Sequence, residues 1–288
     1  MAERGSRSGK GALPEIIIIG APKCGTTSLH YYLDLHPAIA MTREKELHFF
    51  SKQHVWDRGL EWYRSQFDAA AELRGEASIS YSAWPRWTGV PERMASVIPH
   101  ARLLYIVRDP IQRIISSWMH RYADGTETRP IVSALEVLEN NPIVDRSRYY
   151  AQVEQYLGFF PRSQIHVICS ERLRSHRRAV LAGIFKFVGA DPAFDTPGFD
   201  RVEHESRSKR RKGVIGRGLT WLAESPPARI VPPAIRRRIG YVVYRPFTRA
   251  IEPPTLDERT RERVRDHLAP DIARLREFTG QAFAEWSV

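Results

Sequence analysis

Residues 14–28, PEIIIIGAPKCGTTS, constrain the fold more than any other part of the chain. Four consecutive isoleucines leave no polar face at either helical or alternating spacing. Bounded by Pro14 and Gly20, they predict a strand buried on both sides, and such strands belong to parallel sheets covered by helices. Residues 21–25 then form a short loop, and 26–35 a helix that begins on three hydroxyls and stops at His36-Pro37. A strand that ends in a glycine-bounded loop and a helix start aims loop amides and the positive helix end at one point, which makes an anion site. Lys23 adds a full positive charge there, and Thr26, Thr27 and Ser28 add hydroxyl donors.

The alternation of strand and helix recurs. Residues 101–107 (ARLLYIV) predict a second buried strand, followed by a helix from Pro110 to about 123. Residues 149–160 predict an amphipathic helix, 164–169 (QIHVIC) a third strand, 177–188 its following helix and 256–280 a closing helix. The fold class expected is α/β: a doubly wound, mostly parallel sheet with helices on both faces and a P-loop-like phosphate-binding loop. Residues 1–13 read as a disordered leader and 14–288 as one domain, with an irregular lid-like segment at about 207–254 where Pro, Arg and aromatic residues mix. No apolar run approaches the roughly 20 residues of a membrane span, and the leader lacks the apolar core of a secretory signal, so a soluble, cytoplasmic protein is expected. Cys24 and Cys169 make no disulfide framework, the histidines show no metal-ligand spacing, and no metal is expected.

The formal net charge of +11 favours anionic partners: nucleic acid, anionic lipid, a phosphorylated cofactor or an acidic glycan. Basic clusters lie at 207–217 and 236–238, although a solvated basic face is the commoner reason for such runs. A nucleic-acid binder would interleave a basic stripe with aromatics. Here the basic residues gather around the phosphate loops, and no nucleic-acid partner is expected.

The first loop differs from a Walker A loop, G-x-x-x-x-G-K-[ST]. The glycines have the right spacing, but Thr26 stands where Lys is required and the lysine has moved to position 23. It resembles instead the 5′-phosphosulfate loop, P-K-x-G-T-[ST], of sulfotransferases that use 3′-phosphoadenosine 5′-phosphosulfate (PAPS). Pro22, Lys23, Gly25, Thr26 and Thr27 match it. The resemblance implies that residues Lys23, Cys24, Gly25, Thr26, Thr27 and Ser28 bind the cofactor, with Lys23 on the leaving phosphate and the sulfonate.

A second anion site follows the strand at 101–107. Arg108 sits at the strand's C-terminal end, and Ser116 lies eight residues on, two helical turns along, so the two can clamp one phosphate. The run 108–120 resembles the family's 3′-phosphate motif, R-[ND]-P-x-x-R-x-x-S-x-[YW]-x-H, which places the 3′-phosphate of PAPS and of its product, 3′-phosphoadenosine 5′-phosphate (PAP), on Arg108 and Ser116. For Arg113 a helix-face salt bridge and a functional role are both open. Residues 211–216 (RKGVIG) resemble the R-K-G-x-x-G element that meets the same phosphate, adding Lys212 and Gly213.

Sulfonate transfer needs a base for the acceptor proton. In residues 43–50 (REKELHFF), Glu46 and His48 are two apart, so an extended segment points both to one side, one taking the proton and the other orienting the acceptor. The segment resembles the K-E-x-H-F-F stretch of the heparan-sulfate-type branch, where the residue at Glu46 is the general base. Residues 76–81 (EASISY) match that branch's E-K-[TS]-P-x-Y at Glu76, Ser78 and Tyr81, but Ala77 replaces the lysine and Ile79 the proline. The function implied is metal-independent transfer of sulfonate to a hydroxyl or amine of a small-molecule, lipid or glycan acceptor. Aromatics and arginines within 217–254 suit an acceptor pocket or a peripheral membrane contact. A P-loop kinase is the rival enzyme class, and it lacks its lysine and metal ligands here. Cys24, a thiol at a helix start beside a lysine, has the setting of a lowered pKa, but no partnering base is placed for it.

Overall fold

The computed structural model describes residues 12–201, 210–212 and 248–288. Residues 1–11 of the expected leader and most of the 207–254 segment, with Gly213 and the side chain of Lys212, lie outside the described residues.

Five strands form the central sheet: β1 (Ile16–Gly20), β2 (Ile39–Met41), β3 (Leu73–Ala77), β4 (Arg102–Val107) and β5 (Ile165–Cys169). Their order is β2-β3-β1-β4-β5 and every pairing is parallel. Side chains alternate across a strand, so Ile16 and Ile18 face one side and Ile17 and Ile19 the other. All four are fully buried, which requires cover on both faces of the sheet. The helices that supply it are α1 (Thr26–Asp34), the short α2 (Gln53–Trp56) and α3 (Gly59–Arg64), α4 (Val90–Val97), α5 (Pro110–Asp124), the short α6 (Ile131–Ala134), α7 (Tyr149–Leu157), α8 (Ser170–Ser175), α9 (Arg177–Val188) and α10 (Glu258–Thr279). No helix among the described residues is long and apolar enough to cross a membrane.

Sequence chemistry explains the helix ends. Asp109 caps α5 by accepting the Gln112 amide at 2.8 Å, Pro110 fits the first turn, and Gly125 closes the helix in the left-handed conformation. Asp257 caps α10 through the Thr260 amide at 2.8 Å. Within α10, the Asp271 carboxylate accepts the amides of Tyr150 and Ala151, at 3.0 and 2.8 Å, and so caps α7 from 120 residues away.

Strands β2 and β3 were not expected. The sequence LRGEA has no β-branched residue and carries a buried acid; it is a strand because β1 and β2 pair with it on either side. A further two-stranded ribbon, β6 (Arg210–Lys212) and β7 (Thr248–Ala250), is antiparallel, and β6 packs against α5.

The chain leaves β1 toward β2 on one side and leaves β4 toward β5 on the other. The C-terminal ends of β1 and β4 therefore flank the point where the winding reverses, the place where open α/β sheets bind ligands.

Candidate active site

A cavity of about 760 Å³ opens at that reversal point. Residues 22–28, the whole loop after β1, form one wall. The loop's shape starts at Gly20, whose φ is 149°. A Cβ there would stand 1.8 Å from the Ser82 hydroxyl, so only glycine lets β1 turn into the loop. Lys23 at φ 72° and Gly25 at φ 103° complete the turn, and no side chain caps the start of α1. A helix start without a side-chain cap beside a lysine is suited to an anion.

Cys24 lines the loop, but its thiol is buried 3.7 Å from the Tyr149 hydroxyl, and its amide donates to the Ala21 carbonyl at 3.2 Å. Burial pushes the thiol up to about 11, opposite to the lowered value its sequence setting suggested, because desolvation of the buried sulfur outweighs the nearby Arg113 charge and the Tyr149 hydrogen bond. It is not an activated nucleophile.

Arg108 forms part of a second wall at the end of β4. Its carbonyl accepts the Tyr149 hydroxyl at 2.7 Å. The next amide, that of Asp109, donates to Glu171 at 3.1 Å. The Asp109 carboxylate accepts the amide and hydroxyl of Ser287, at 2.6 and 2.7 Å, and Glu171 accepts the Trp286 indole N–H at 3.2 Å. This clasp from the C-terminal residues gave no local signal in the sequence. The cavity face of α5 carries Ser117, His120, Arg121 and Asp124, a helical i, i+3, i+4, i+7 stripe. The lining takes Ser117 where the sequence spacing pointed to Ser116, which is buried. The backbone of Lys212 lies in β6, beside α5.

Arg113 makes no helix-face salt bridge. It is fully buried; its Nε donates to the Ser147 hydroxyl at 2.5 Å and one Nη to the Ile143 carbonyl. Burial lowers its pKa.

The third wall comes from the strap 43–50 laid along the end of β3. This strap is not extended: Glu46 has φ 69° and His48 φ 60°. It is held by backbone and side-chain bonds to β3 and the turn after it. The Glu46 amide donates to the Ala77 carbonyl at 2.9 Å, and the His48 amide to the Ser78 hydroxyl at 3.0 Å. The Glu46 carboxylate lies in the cavity wall, one oxygen 2.5 Å from Lys45 Nζ and the other accepting the Ile79 amide at 2.8 Å. His48 approaches that carboxylate at 4.0 Å, but its Nδ1 is engaged by Ser80 at 2.7 Å, and burial lowers its pKa. It braces the strap and is not part of the cavity wall. Lys23, Glu46 and His48 are three of the five non-glycine residues with left-handed backbone among those described, and such strain collects at functional sites.

Beneath the strap, Glu76 is fully buried and accepts three hydroxyls, from Tyr63 at 2.6 Å, Tyr81 at 2.9 Å and Ser78 at 3.0 Å. Burial raises its pKa to about 7 against those bonds. It anchors the strap through Ser78 and does not face the cavity. Sequence reasoning missed most of the basic residues around the cavity. Arg86 comes from the loop after β3, Arg146 from the 3-10 turn before α7, Arg174 from the last turn of α8 and Arg177 from the start of α9, with no shared pattern in sequence.

The chain matches the family model described as the sulfotransferase domain over residues 13–215. It is 27% identical over 202 residues to human bifunctional heparan sulfate N-deacetylase/N-sulfotransferase 2, covering 62% of this chain and 22% of that protein. It is 32% identical over 193 residues to human heparan sulfate glucosamine 3-O-sulfotransferase 5, covering 62% of this chain and 54% of that one. The chain thus spans from about a fifth to about half of these relatives. A crystal structure of a sulfotransferase from Alicyclobacillus acidocaldarius superposes with a TM-score of 0.68 at 24% identity, covering 96% of this chain and all of that one, and shares its fold.

Proposed function

The chain belongs to the sulfotransferase domain family, and we propose that it transfers the sulfonate of PAPS to a hydroxyl or amine of an acceptor. The observation that carries this is convergence: the phosphate loop with Lys23, the strand end with Arg108 and the carboxylate of Glu46 form three walls of one cavity.

These residues suit the cofactor's chemistry. PAPS carries about four negative charges at neutral pH, and among the described residues the cavity wall holds eight Lys and Arg side chains against two carboxylates. When bound, PAPS supplies an activated sulfonate on a phosphate leaving group. The residues Lys23, Gly25, Thr26, Thr27 and Ser28 would hold its 5′ end, and Arg108, with Ser116 or Ser117 and Lys212-Gly213, its 3′-phosphate. Lys23 sets a fixed positive charge against the developing charge on the leaving oxygen, a form of stabilisation that needs no rearrangement during reaction. Glu46 takes the acceptor proton. Lys45 and the Ile79 amide fix its two oxygens, and His48 is a positioning residue that holds the strap on Ser80. The chemistry admits a small molecule, a lipid or a glycan as acceptor; the two human relatives are named for transfer to a glycan nitrogen and a glycan oxygen, which covers both acceptor atoms.

The test is a thermal-shift titration with PAP beside AMP and ATP–magnesium. PAP at 100 times its dissociation constant adds about 2.7 kcal/mol of stability, and AMP at the same concentration adds much less. Stabilisation by ATP–magnesium but not by PAP overturns the assignment in favour of a kinase.

A further inference from the structure

Arg86, Arg121 and Arg146 reach the cavity from three separate places: the loop after β3, the last turn of α5, and the 3-10 turn Asp145–Ser147 before α7. Among the described residues none of them has a carboxylate within ion-pair distance, and the buried Nε of Arg121 has no hydrogen-bond partner. The three lie close enough to act on one another. Burial, then the charges of Arg113, Arg86 and Arg121, bring Arg146 down to about 10, and Glu46 lies within the same electrostatic reach. Like charges gathered with no ion-pair partner among the described residues repel and weaken the fold, so the cluster has the character of a site that awaits an anion.

The cofactor does not account for that anion. Arg121 stands more than three turns along α5 from the Arg108–Asp109 corner, roughly 18 Å at 1.5 Å per residue. The loop and Arg108 already answer the phosphates of PAPS, and the cavity's cationic surplus exceeds the cofactor's charge. The arginine cluster instead shares its surroundings with Glu46, the residue that meets the acceptor. Guanidinium forks match phosphate, sulfate and carboxylate oxygens in pairs.

We propose that Arg86, Arg121 and Arg146 form an acceptor subsite that binds an anionic group, a phosphate, sulfate or carboxylate, carried by the acceptor near the hydroxyl or amine that Glu46 deprotonates. The proposal rests on the sulfotransfer reading and narrows its acceptor to an anion.

The experiment uses the full chain saturated with PAP, so that the nucleotide's two phosphate positions are filled; the sulfonate position beside Lys23 stays open, and a second shift that the arginine variants leave unchanged assigns the anion to that position and overturns the subsite. Inorganic phosphate, inorganic sulfate and sodium acetate are then titrated in separately at constant ionic strength held with sodium chloride, and melting temperature and calorimetric binding are followed. A saturable second shift is expected with at least one of the three, and the one that binds best identifies the oxyanion. Arg121→Ala and Arg146→Ala each weaken that binding at least tenfold, Arg86→Ala about threefold, and all leave the PAP dissociation constant within twofold. Should Arg146→Ala not fold, Arg121→Gln and the exposed Arg86→Ala carry the comparison. A PAP shift with no second shift overturns the subsite alone. Loss of PAP affinity in parallel with anion affinity assigns the arginines to the nucleotide and also overturns it. No response to PAP at all removes the sulfotransfer reading, and the subsite with it.

Discussion

The loop after β1 and the strap beside β3 hold the two cavity residues proposed to meet the reacting group, Lys23 and Glu46, and they are built in opposite ways. The loop is local. Its form is set by nine consecutive residues, by the left-handed turns at Lys23 and Gly25 and by the one position, Gly20, where a side chain cannot fit. The strap is assembled from distance. Glu46 is fixed by Ile79, 33 residues away, and His48 by Ser78 and Ser80, and the whole rests on a buried acid that three hydroxyls surround. A backbone shape can be held by sterics alone, whereas a catalytic carboxylate needs partners that also leave it reachable. The difference teaches that one half of the chemistry is encoded in a motif and the other half in the fold.

Substitutions can break this contrast, starting with the largest effect. Glu46→Gln keeps the bond to Ile79 possible but removes the proposed base, and turnover in a single-turnover sulfonation assay should fall roughly 10²–10⁴-fold with PAP affinity unchanged within twofold. Near wild-type turnover would move the base away from the strap. Gly20→Ala tests the local side. The clash with Ser82 and the positive φ should lower stability by about 3 kcal/mol in urea unfolding; a loss under about 1 kcal/mol would mean that the loop yields easily and is less rigid than its geometry suggests.

Glu76 sharpens the other side through pH. Its pKa of about 7 in the folded chain lies above the ordinary 4.5. Below 4.5 the carboxyl is protonated in both folded and unfolded chains. Between 4.5 and 7 the unfolded chain releases a proton that the folded chain keeps, so stability declines as pH rises through this window. Above pH 7 the loss approaches roughly 3 kcal/mol. Glu76→Gln should flatten that slope, which denaturation at mildly acidic and mildly alkaline pH measures directly. An equal slope in both proteins would show that Glu76 is ionised throughout and that the strap sits on a charge.

Much of the fold was legible before any coordinates. The buried runs of β1, β4 and β5 and the periodic helices α5, α9 and α10 announce themselves because their environments are uniform along their length. Strands β2 and β3 did not, since three residues carry little pattern and LRGEA owes its conformation to its neighbours. Around the candidate site, the loop and Arg108 were visible as motifs. The extended geometry expected for Glu46 and His48 gave way to two left-handed residues, because the strap must follow the end of β3 while keeping Glu46 on the cavity wall. The arginines at 86, 121 and 146 were not singled out; only the fold brings them together.

The clasp on Asp109 has a consequence for how the molecule comes into being. Ser287 bonds to a residue 178 positions earlier, and Trp286 reaches Glu171 from 115 positions away. On the ribosome, β1, its loop and β4 emerge in order and can begin to pair well before residues 286 and 287 are made. The corner that carries Arg108 cannot close until residues 286 and 287 have cleared the exit tunnel. Phosphate-loop geometry is therefore an early product of synthesis and the opposite corner a late one, so that a nascent chain stalled before Trp286 would display a nearly finished pocket that still lacks its fastening.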